Sequence, residues 1–277
     1  MYAHGLPFST KYAQNLDRIK SRLAKRFSSI IIIEGGLGYG KTTLGVHTAD
    51  YLTGTLIKLE LNDHPQISMG GEEFLRQLEV CHTRGLPVII YDEAGDFNKR
   101  GALSKFNSVL ARTFQTFRAF NVIVIICLPD FDLLDNSLLK GKSVRGLIHI
   151  ISRDAHSANF SGYDLDRMFY LRHKMQKLIN PNDAYRQTRP NFRGHFLDLE
   201  PARSAALDKL STKSKLATLT KSSIRLEGLV SIRDIMSKLG LSYPTASKRL
   251  KEARIKSVRK VGQKLYYPAD TINRLLA

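Results

Sequence analysis

The chain has 277 residues, which is enough for one α/β core of ordinary size and a small accessory domain. Its 43 Lys and Arg residues exceed its 25 Asp and Glu residues and give a net charge of +18, which favours a polyanionic partner such as nucleic acid. Two cysteines exclude a disulfide framework and a cysteine-rich zinc site, and the longest apolar runs are too short to span a bilayer.

The N-terminal two thirds of the chain alternates between helical and strand patterns. Residues 11–26 carry apolar side chains at helical spacing and predict an amphipathic helix. Five β-rich runs follow, separated by helical stretches: SIIIIE, TLIKLEL, PVIIYDE, NVIVIICLP and GLIHIIS. Their near-continuous apolarity predicts an α/β fold with a mostly parallel sheet that helices cover on both faces.

The first of these strands runs into a glycine-rich motif. Gly35, Gly40, Lys41 and Thr42 satisfy the pattern G-x-x-x-x-G-K-[ST], with an apolar strand before it and a helical pattern after it. Glycines let the backbone curl so that its N–H groups and the helix N-terminus face phosphates. The motif therefore predicts a P-loop that binds ATP and Mg²⁺, in which Lys41 contacts the β- and γ-phosphates and Thr42 holds the metal. The predicted nucleotide-binding residues are Gly35, Gly36, Gly38, Gly40, Lys41, Thr42 and Thr43.

An acidic pair ends the strand PVIIYDE. In phosphoryl transfer, an acid at this strand end holds the metal, and an adjacent glutamate suits the orientation of an attacking water. Two carboxylates after a strand also occur at the start of an ordinary solvated loop. With the phosphate loop upstream, we predict that Asp92 supports the metal and that Glu93 is catalytic together with Lys41. The pair favours a water-activating ATPase over a small-molecule kinase.

These motifs resemble the additional-strand, catalytic-glutamate division of P-loop ATPases, which includes AAA+ and RecA-like motors. The stretch LARTFQTFRAFNVIVIICLP is similar to the part of FtsK/HerA-type DNA pumps and viral packaging ATPases that leads into the fourth strand. The resemblance covers roughly residues 28–152 and implies that Arg118 reaches the nucleotide of a neighbouring subunit. Arg112 is a second candidate, and a helix-end cation that complements the macrodipole would explain Arg118 equally well.

The fourth strand departs from that family in one respect. It ends in Cys127, Leu128 and Pro129, where the family usually places a polar residue, commonly glutamine, that senses the γ-phosphate. The resemblance therefore implies that sensing in this chain comes from another residue or that coupling differs.

The pattern changes again towards the C-terminus. A segment rich in Ser, Thr and Lys predicts a basic linker at residues 201–223, between an ATPase domain at 1–200 and a small domain at 224–277. Residues 203–277 hold 17 of the basic residues and only 5 acidic ones. The positive charge is thus concentrated at the C-terminus.

Residues 224–277 resemble a winged helix-turn-helix. One apolar helix face is followed by Gly240 and by a second helix with Pro244 in its first turn, and a hairpin forms around residues 262–263. The resemblance implies a recognition helix that enters the major groove and a wing that contacts phosphates, although winged helices also serve protein contacts. The predicted DNA-binding residues are Tyr243, Thr245, Ser247, Lys248, Arg249 and Lys251 on the helix, and Arg259, Lys260 and Lys264 on the wing.

Taken together, these features favour a cytoplasmic, DNA-dependent ATPase that works as an oligomeric translocase or packaging motor of a virus or mobile element. Its expected partners are double-stranded DNA and further copies of the chain, with no membrane. One alternative is an AAA+-like replication initiator or helicase loader, which should show a helical lid with an arginine; DLDRMFYLRHK could supply one. Another alternative is a regulator that binds DNA and senses nucleotide.

Overall fold

The computed structural model describes residues 5–92, 121–134, 139, 143–224, 229–261, 264–268 and 270–276. The chain divides into two compact units, Met1–Lys215 and Leu216–Ala277. In the first unit the helices and strands are α1 Thr10–Ala24, β1 Ser29–Glu34, α2 Lys41–Thr53, β2 Ile67–Ser68, α3 Gly71–Thr83, β3 Val88–Asp92, β4 Ile123–Leu128, β5 Val144–Arg153, β6 Ser157–Tyr163, α4 Leu165–Met175, α5 Asp183–Gln187 and β7 Phe192–Leu197. Helix α6, Pro201–Ile224, begins in the first unit and ends in the second.

The strands of the first unit form a single sheet in the described part of the chain. Their order is β2-β3-β4-β1-β5-β6-β7, and β1 pairs in parallel with both β4 and β5. β3 is also parallel to β4, whereas β6 and β7 extend the sheet by antiparallel pairing. The carboxyl ends of β1, β3, β4 and β5 therefore lie at the same edge of the sheet.

Helices cover both faces of this sheet, as the apolar runs predict. Along β1, Ile31 and Ile33 pack with the buried side chains of α1, α2 and α6. Ile30 and Ile32 point the other way and pack with those of α3 and α4. All six residues of β1 are buried, which explains why this strand is apolar almost throughout.

The prediction of a strand at TLIKLEL is wrong. Ile57 and Leu59 are buried, but this segment is not a strand, and the sheet edge is formed by β2 instead. Side chains take the hydrogen bonds that a strand would exchange with a neighbour: the Ile57 N–H donates to Asp50 Oδ1, and the Ile57 carbonyl accepts from Arg203. Alternating apolar residues therefore reflect burial here and not strand pairing.

The stretch predicted as a basic linker is the helix α6. Leu207 and Leu210 on this helix are buried in the core of the first unit, so its first half is part of that unit. An ion pair between Arg203 and Asp50 at 2.5 Å joins α6 to α2. None of the helices in the described ranges is both long enough and apolar enough to cross a membrane.

The second unit combines a small antiparallel sheet with short helices. Its elements are β8 Leu229–Ser231, α7 Ile232–Leu239, α8 Tyr243–Glu252, β9 Arg259–Val261, β10 Lys264–Pro268 and α9 Thr271–Leu276. β10 pairs with both β8 and β9. A separate apolar core centred on Ile235, Ala246 and Leu250 holds these elements together.

Candidate nucleotide site

The glycine-rich loop connects the carboxyl end of β1 to the start of α2. Gly38 and Gly40 have φ values of 77° and 84°, in the left-handed region that side chains with a Cβ rarely adopt. Gly40 is the N-cap of α2, which begins at Lys41, so the first N–H groups of this helix line the loop. A loop of this shape at a helix N-terminus can surround a phosphate with backbone donors.

Lys41 places its ammonium group over the start of the loop. Its Nζ donates to the carbonyl oxygens of Gly35 and Gly36, both at 2.8 Å. Burial lowers the pKa of Lys41, while the acidic groups of Cys127, Asp92 and Glu34 oppose that shift only in part. The charged form of Lys41 is therefore less favoured here than that of an exposed lysine.

Thr42 and Asp92 meet at the edge of the sheet. The Thr42 hydroxyl donates to Asp92 Oδ2 at 2.7 Å, although 50 residues separate the two along the chain. They meet because β3 and β1 are parallel, with β4 between them, so both carboxyl ends reach one edge. A hydroxyl and a carboxylate side by side are oxygen ligands of the kind that Mg²⁺ prefers, so these two residues fit the predicted metal site.

Asp92 is only 5% exposed. Burial raises its pKa above the ordinary value for a carboxyl group, and the hydrogen bond from Thr42 and the charges of Lys41 and Lys215 act in the opposite direction. A bound divalent cation would offset the cost of ionising this carboxyl group in the same place.

Three of the predicted catalytic candidates, Glu93, Arg112 and Arg118, lie outside the described residues. Their roles stay predictions from the sequence. Glu93 directly follows Asp92 in the chain, and Asp92 is the last residue of β3.

Cys127, at the position where the resembling motors carry a polar sensor, is completely buried. Its thiol donates to the carbonyl oxygen of Lys41 at 3.6 Å. Burial raises the pKa of Cys127 well above its usual range, with the Asp92 charge adding to the effect. The thiol is therefore neutral at physiological pH, and it contacts the backbone of α2.

Sequence reasoning missed a buried carboxylate that lies immediately before the loop. Glu34 is 2% exposed; it accepts a hydrogen bond from the Phe131 N–H at 2.5 Å and pairs with His149 Nδ1 at 2.5 Å. Tyr185 stacks on the His149 ring with 3.7 Å between the ring centroids. Glu34 thereby ties the start of the loop to β5 and to the segment after β4. A glutamate directly after four isoleucines was the only sequence signal for this role.

A second missed pair lies on the β5 side of the loop. Arg153, the last residue of β5, forms an ion pair with Asp198 at 2.5 Å, and the two side chains are each 29% exposed. A Cβ atom on Gly40 would lie 2.4 Å from Arg153 Nη1 and 3.3 Å from the ring of Phe196. The guanidinium group therefore packs on the loop at Gly40, the position whose backbone conformation already favours glycine.

In the second unit, most of the predicted contact residues on α8 are exposed. Tyr243, Thr245, Lys248, Arg249 and Lys251 are exposed and Ser247 is partly buried, while Ala246 and Leu250 face the core. Of the predicted wing residues, Arg259 and Lys260 lie in β9 and Lys264 begins β10, which pairs antiparallel with β9. These residues belong to a helix face and a hairpin on one small unit.

A buried strand, a glycine-rich loop, a helix that begins with Lys-Thr and an acidic residue at the end of a parallel strand together make a P-loop NTPase fold. The predicted fold class of the first unit is confirmed by this arrangement. Lys41, Thr42 and Asp92, which were predicted separately from two distant motifs, lie together in it.

Comparisons with known proteins add little to this picture. No protein-family model matches the chain, and no curated protein does. Among solved structures, the N-terminal domain of zonular occludens toxin from Neisseria meningitidis is 16% identical, with a TM-score of 0.31 over 50% of this chain and 84% of its own. The flagellar accessory protein FlaH from Methanocaldococcus jannaschii is 17% identical, with a TM-score of 0.25 over 54% of this chain and 84% of its own. At such low TM-scores neither similarity bears on function.

Proposed function

We propose that the protein hydrolyses ATP and uses that reaction to move or package double-stranded DNA as an oligomer. The observation that carries the ATPase part is the hydrogen bond between Thr42 and Asp92 beside Lys41. Three side chains with distinct tasks in phosphoryl transfer converge there at the mouth of one loop. A glycine-rich turn that served only to connect a strand to a helix would have no need of a buried carboxylate.

In this proposal each residue has a defined task. The loop backbone and the N-terminus of α2 bind the phosphates, and Lys41 neutralises charge on the β- and γ-phosphates. Thr42 and Asp92 hold Mg²⁺, which would screen the phosphate charge and help orient the phosphate chain. Glu93, following Asp92, orients the attacking water, since hydrolysis requires a base or a hydrogen-bond acceptor beside the nucleophile.

The order of the strands supports the proposed division of P-loop ATPases. β4 lies between β1, which carries the phosphate loop, and β3, which carries Asp92. That is the position of the additional strand for which the division is named. Within this division the resemblance of residues 110–129 to FtsK/HerA-type pumps favours a DNA motor, with Arg118 or Arg112 as the arginine that completes a neighbour's site.

The second unit is proposed to be a winged helix that binds DNA. Two helices joined at Gly240, followed by an antiparallel hairpin, give the order of elements that a winged helix requires. The exposed residues of α8 include Lys248, Arg249 and Lys251, and the C-terminal quarter of the chain carries most of the excess positive charge. Such a surface suits a polyanion such as DNA better than a neutral or basic protein partner.

The packing of α4 argues against the alternative of an initiator or loader with a lid arginine. Met168, Leu171 and Met175 on α4 are buried against the sheet, and Arg172 is 8% exposed and donates to the carbonyl oxygens of Asp132 and Leu134. Arg167, the other arginine of this helix, donates to the Arg189 carbonyl, so both arginines have partners within the first unit. The helix therefore serves the core of the first unit.

The test combines ATP hydrolysis with displacement of a third DNA strand from a triplex. The parent protein should release phosphate slowly alone and faster with duplex DNA, and it should strip the third strand only when ATP is present. Glu93→Gln should bind ATP but hydrolyse it at least about 100-fold more slowly, because an amide keeps the shape of the side chain and loses its charge.

Two controls sharpen this test. Lys41→Ala should lose ATP binding, whereas Lys58→Ala should behave as the parent, because Lys58 is exposed and pairs with Asp63 away from the loop. Hydrolysis by Glu93→Gln at the parent rate would remove Glu93 from the active site. DNA binding and hydrolysis without strand displacement would leave an ATPase that is not a motor.

A further inference from the structure

The phosphate loop lies next to β5 at both of its ends. A Cβ atom on Gly35 would lie 3.0 Å from Ile150 Cβ, and a Cβ atom on Gly40 would lie 2.4 Å from Arg153 Nη1. Because β5 is parallel to β1, its carboxyl end reaches the same edge as the loop. Arg153 is the last residue of that strand, and its guanidinium group is therefore next to the N-terminus of α2.

Arg153 is held in this place by Asp198. Arg153 Nη2 donates to Asp198 Oδ1 at 2.5 Å. Asp198 is fixed in turn, because its N–H donates to the His156 carbonyl at 3.1 Å, and the preceding residue, Leu197, accepts a hydrogen bond from His47 Nε2 of α2 at 3.0 Å. The Arg153 side chain is thus anchored to the β5–β6 turn, to the end of β7 and, through His47, to the helix that follows the loop.

The electrostatics of this position favour an anionic ligand. Lys41, the N-terminus of α2 and Arg153 all place positive charge around one short turn. Asp198 occupies one nitrogen of the guanidinium group, which has five N–H donors in a fixed plane. With 29% of the side chain exposed, the remaining donors can reach a phosphate or a sugar hydroxyl.

The position also indicates which part of a nucleotide Arg153 meets. Thr42 and Asp92 lie on the side of the loop that faces β4 and β3, and they hold the metal end of the phosphate chain in the proposed function. Arg153 lies on the opposite side, which faces β5. A nucleotide with its terminal phosphates at Thr42 and Asp92 directs its α-phosphate and its nucleoside towards Arg153.

We propose that Arg153 binds the α-phosphate of the nucleotide in cis and that Asp198 is the residue that positions it. This inference rests on the proposed function, because it requires that the loop binds a nucleotide. It assigns Arg153 a task distinct from that of Arg118, which was predicted to act on a neighbouring subunit. Since both ATP and ADP have an α-phosphate, Arg153 stabilises both complexes and contributes equally to the ground state and the transition state.

The test is direct binding of fluorescent ATP and ADP analogues, labelled on the ribose, with Mg²⁺ present. Arg153→Ala should weaken the binding of both nucleotides by the same factor, about tenfold or more, as expected for the loss of a charge-assisted hydrogen bond. In steady-state hydrolysis the same variant should raise KM and leave kcat unchanged. Arg153→Lys should be intermediate, because it keeps the charge but loses the planar fork.

Two further variants separate binding from folding. Asp198→Asn keeps Arg153 and an acceptor oxygen beside it but removes the charge that anchors the guanidinium group, so it should weaken the binding of both nucleotides by a smaller factor than Arg153→Ala. Arg84→Ala is the matched control, because Arg84 pairs with Asp63 at 3.6 Å and precedes β3 at the opposite edge of the sheet. Its affinity for both analogues should equal that of the parent, and thermal melting should show that all four variants are folded.

The outcomes are distinguishable. If the parent binds neither analogue, the proposed function fails and this inference fails with it. If the parent binds both and folded Arg153→Ala and Arg153→Lys bind them equally well, Arg153 does not contact the nucleotide. If Arg153→Ala weakens the binding of ATP but not of ADP, or lowers kcat, Arg153 acts on the γ-phosphate, and the assignment to the α-phosphate is wrong.

Discussion

At the scale of single residues, the candidate site is built from groups that are costly to bury. Asp92 is almost completely buried and its pKa is raised, since burial disfavours the carboxylate. A carboxyl group whose pKa is raised by folding stabilises the fold in its protonated form, and that stabilisation is lost as the pH rises through the raised value. Where Asp92 is ionised in the folded protein, its burial therefore lowers the stability of the protein.

Asp92→Asn should accordingly make the protein more stable and inactive. In buffer containing EDTA at pH 7.5, we expect Tm to rise by a few degrees, which corresponds to a gain on the order of 1 kcal/mol in the free energy of unfolding. The Asn carbonyl can still accept the hydrogen bond from Thr42. The gain should shrink as the pH falls and the parent carboxyl group becomes protonated. Thermal melting from pH 4 to pH 8 measures both effects; a gain independent of pH would show that removing the charge is not its cause.

At the scale of elements, α6 is more than a connection. Its first half packs Leu207 and Leu210 into the core of the first unit, and Arg203 pairs with Asp50 on the helix that follows the phosphate loop. Further along, Lys213 donates to the Leu61 carbonyl and Ser214 to the Met69 carbonyl, both at 3.4 Å. Within residues 201–216, where burial is described, only Leu207 and Leu210 are buried, which explains why this stretch has the polar composition of a linker.

Leu207→Ala tests whether this docking stabilises the first unit. Leu207 is 7% exposed, and truncating a buried leucine should lower the free energy of unfolding by about 2–4 kcal/mol. Leu216→Ala on the same helix is the matched control, because Leu216 is 57% exposed and its truncation should cost less than about 0.5 kcal/mol. Urea titration measures both values, and equal costs would contradict the packing of Leu207.

At the scale of the whole molecule, the distribution of charge matters more than its sum. Residues 203–277 carry 17 basic and 5 acidic residues, and α8 exposes three of these cations on one helix. A net charge of +18 would by itself attract DNA to any part of the surface. The proposed winged helix requires that the attraction be localised to α8 and the hairpin.

A pair of variants with equal net charge separates these possibilities. Replacing Lys248, Arg249 and Lys251 by Ala should weaken binding to duplex DNA and flatten the plot of log K against log salt by about 0.9 for each DNA phosphate that the protein no longer neutralises. Replacing Lys11, Lys20 and Lys25, which are exposed near or on α1, removes the same charge and should leave the slope unchanged. Fluorescence anisotropy at several salt concentrations measures the slopes; equal slopes would mean that only net charge acts.

How much the sequence predicted depended on how local the signal was. Lys41, Thr42 and Asp92 were predictable because each lies in a short motif at the end of an apolar strand, and parallel pairing brings such ends together. Arg153 and Asp198 were not, because they meet only after β6 has turned back antiparallel along β5 and β7 has turned back antiparallel along β6, and nothing in SANFSGY or FRGHFL marks those strands. The strand predicted at TLIKLEL failed for a related reason, since Asp50 and Arg203, distant in the chain, take its hydrogen bonds.

The two cysteines have no proposed function, but the rates at which their thiols are alkylated can measure local opening of the protein. Cys127 faces the α2 side of the sheet and Cys81 the α3 side, and both are fully buried. Burial raises the pKa of Cys81 to about 12 and that of Cys127 well above its usual range, so both thiols are poor nucleophiles while they stay buried. We expect each thiol to react only when local opening of the structure around it exposes the side chain. Cys127 contacts the backbone of Lys41, so its labelling rate should measure how often the start of α2 opens. Cys81 lies in α3, so its labelling rate should measure how often α3 separates from the other face of the sheet.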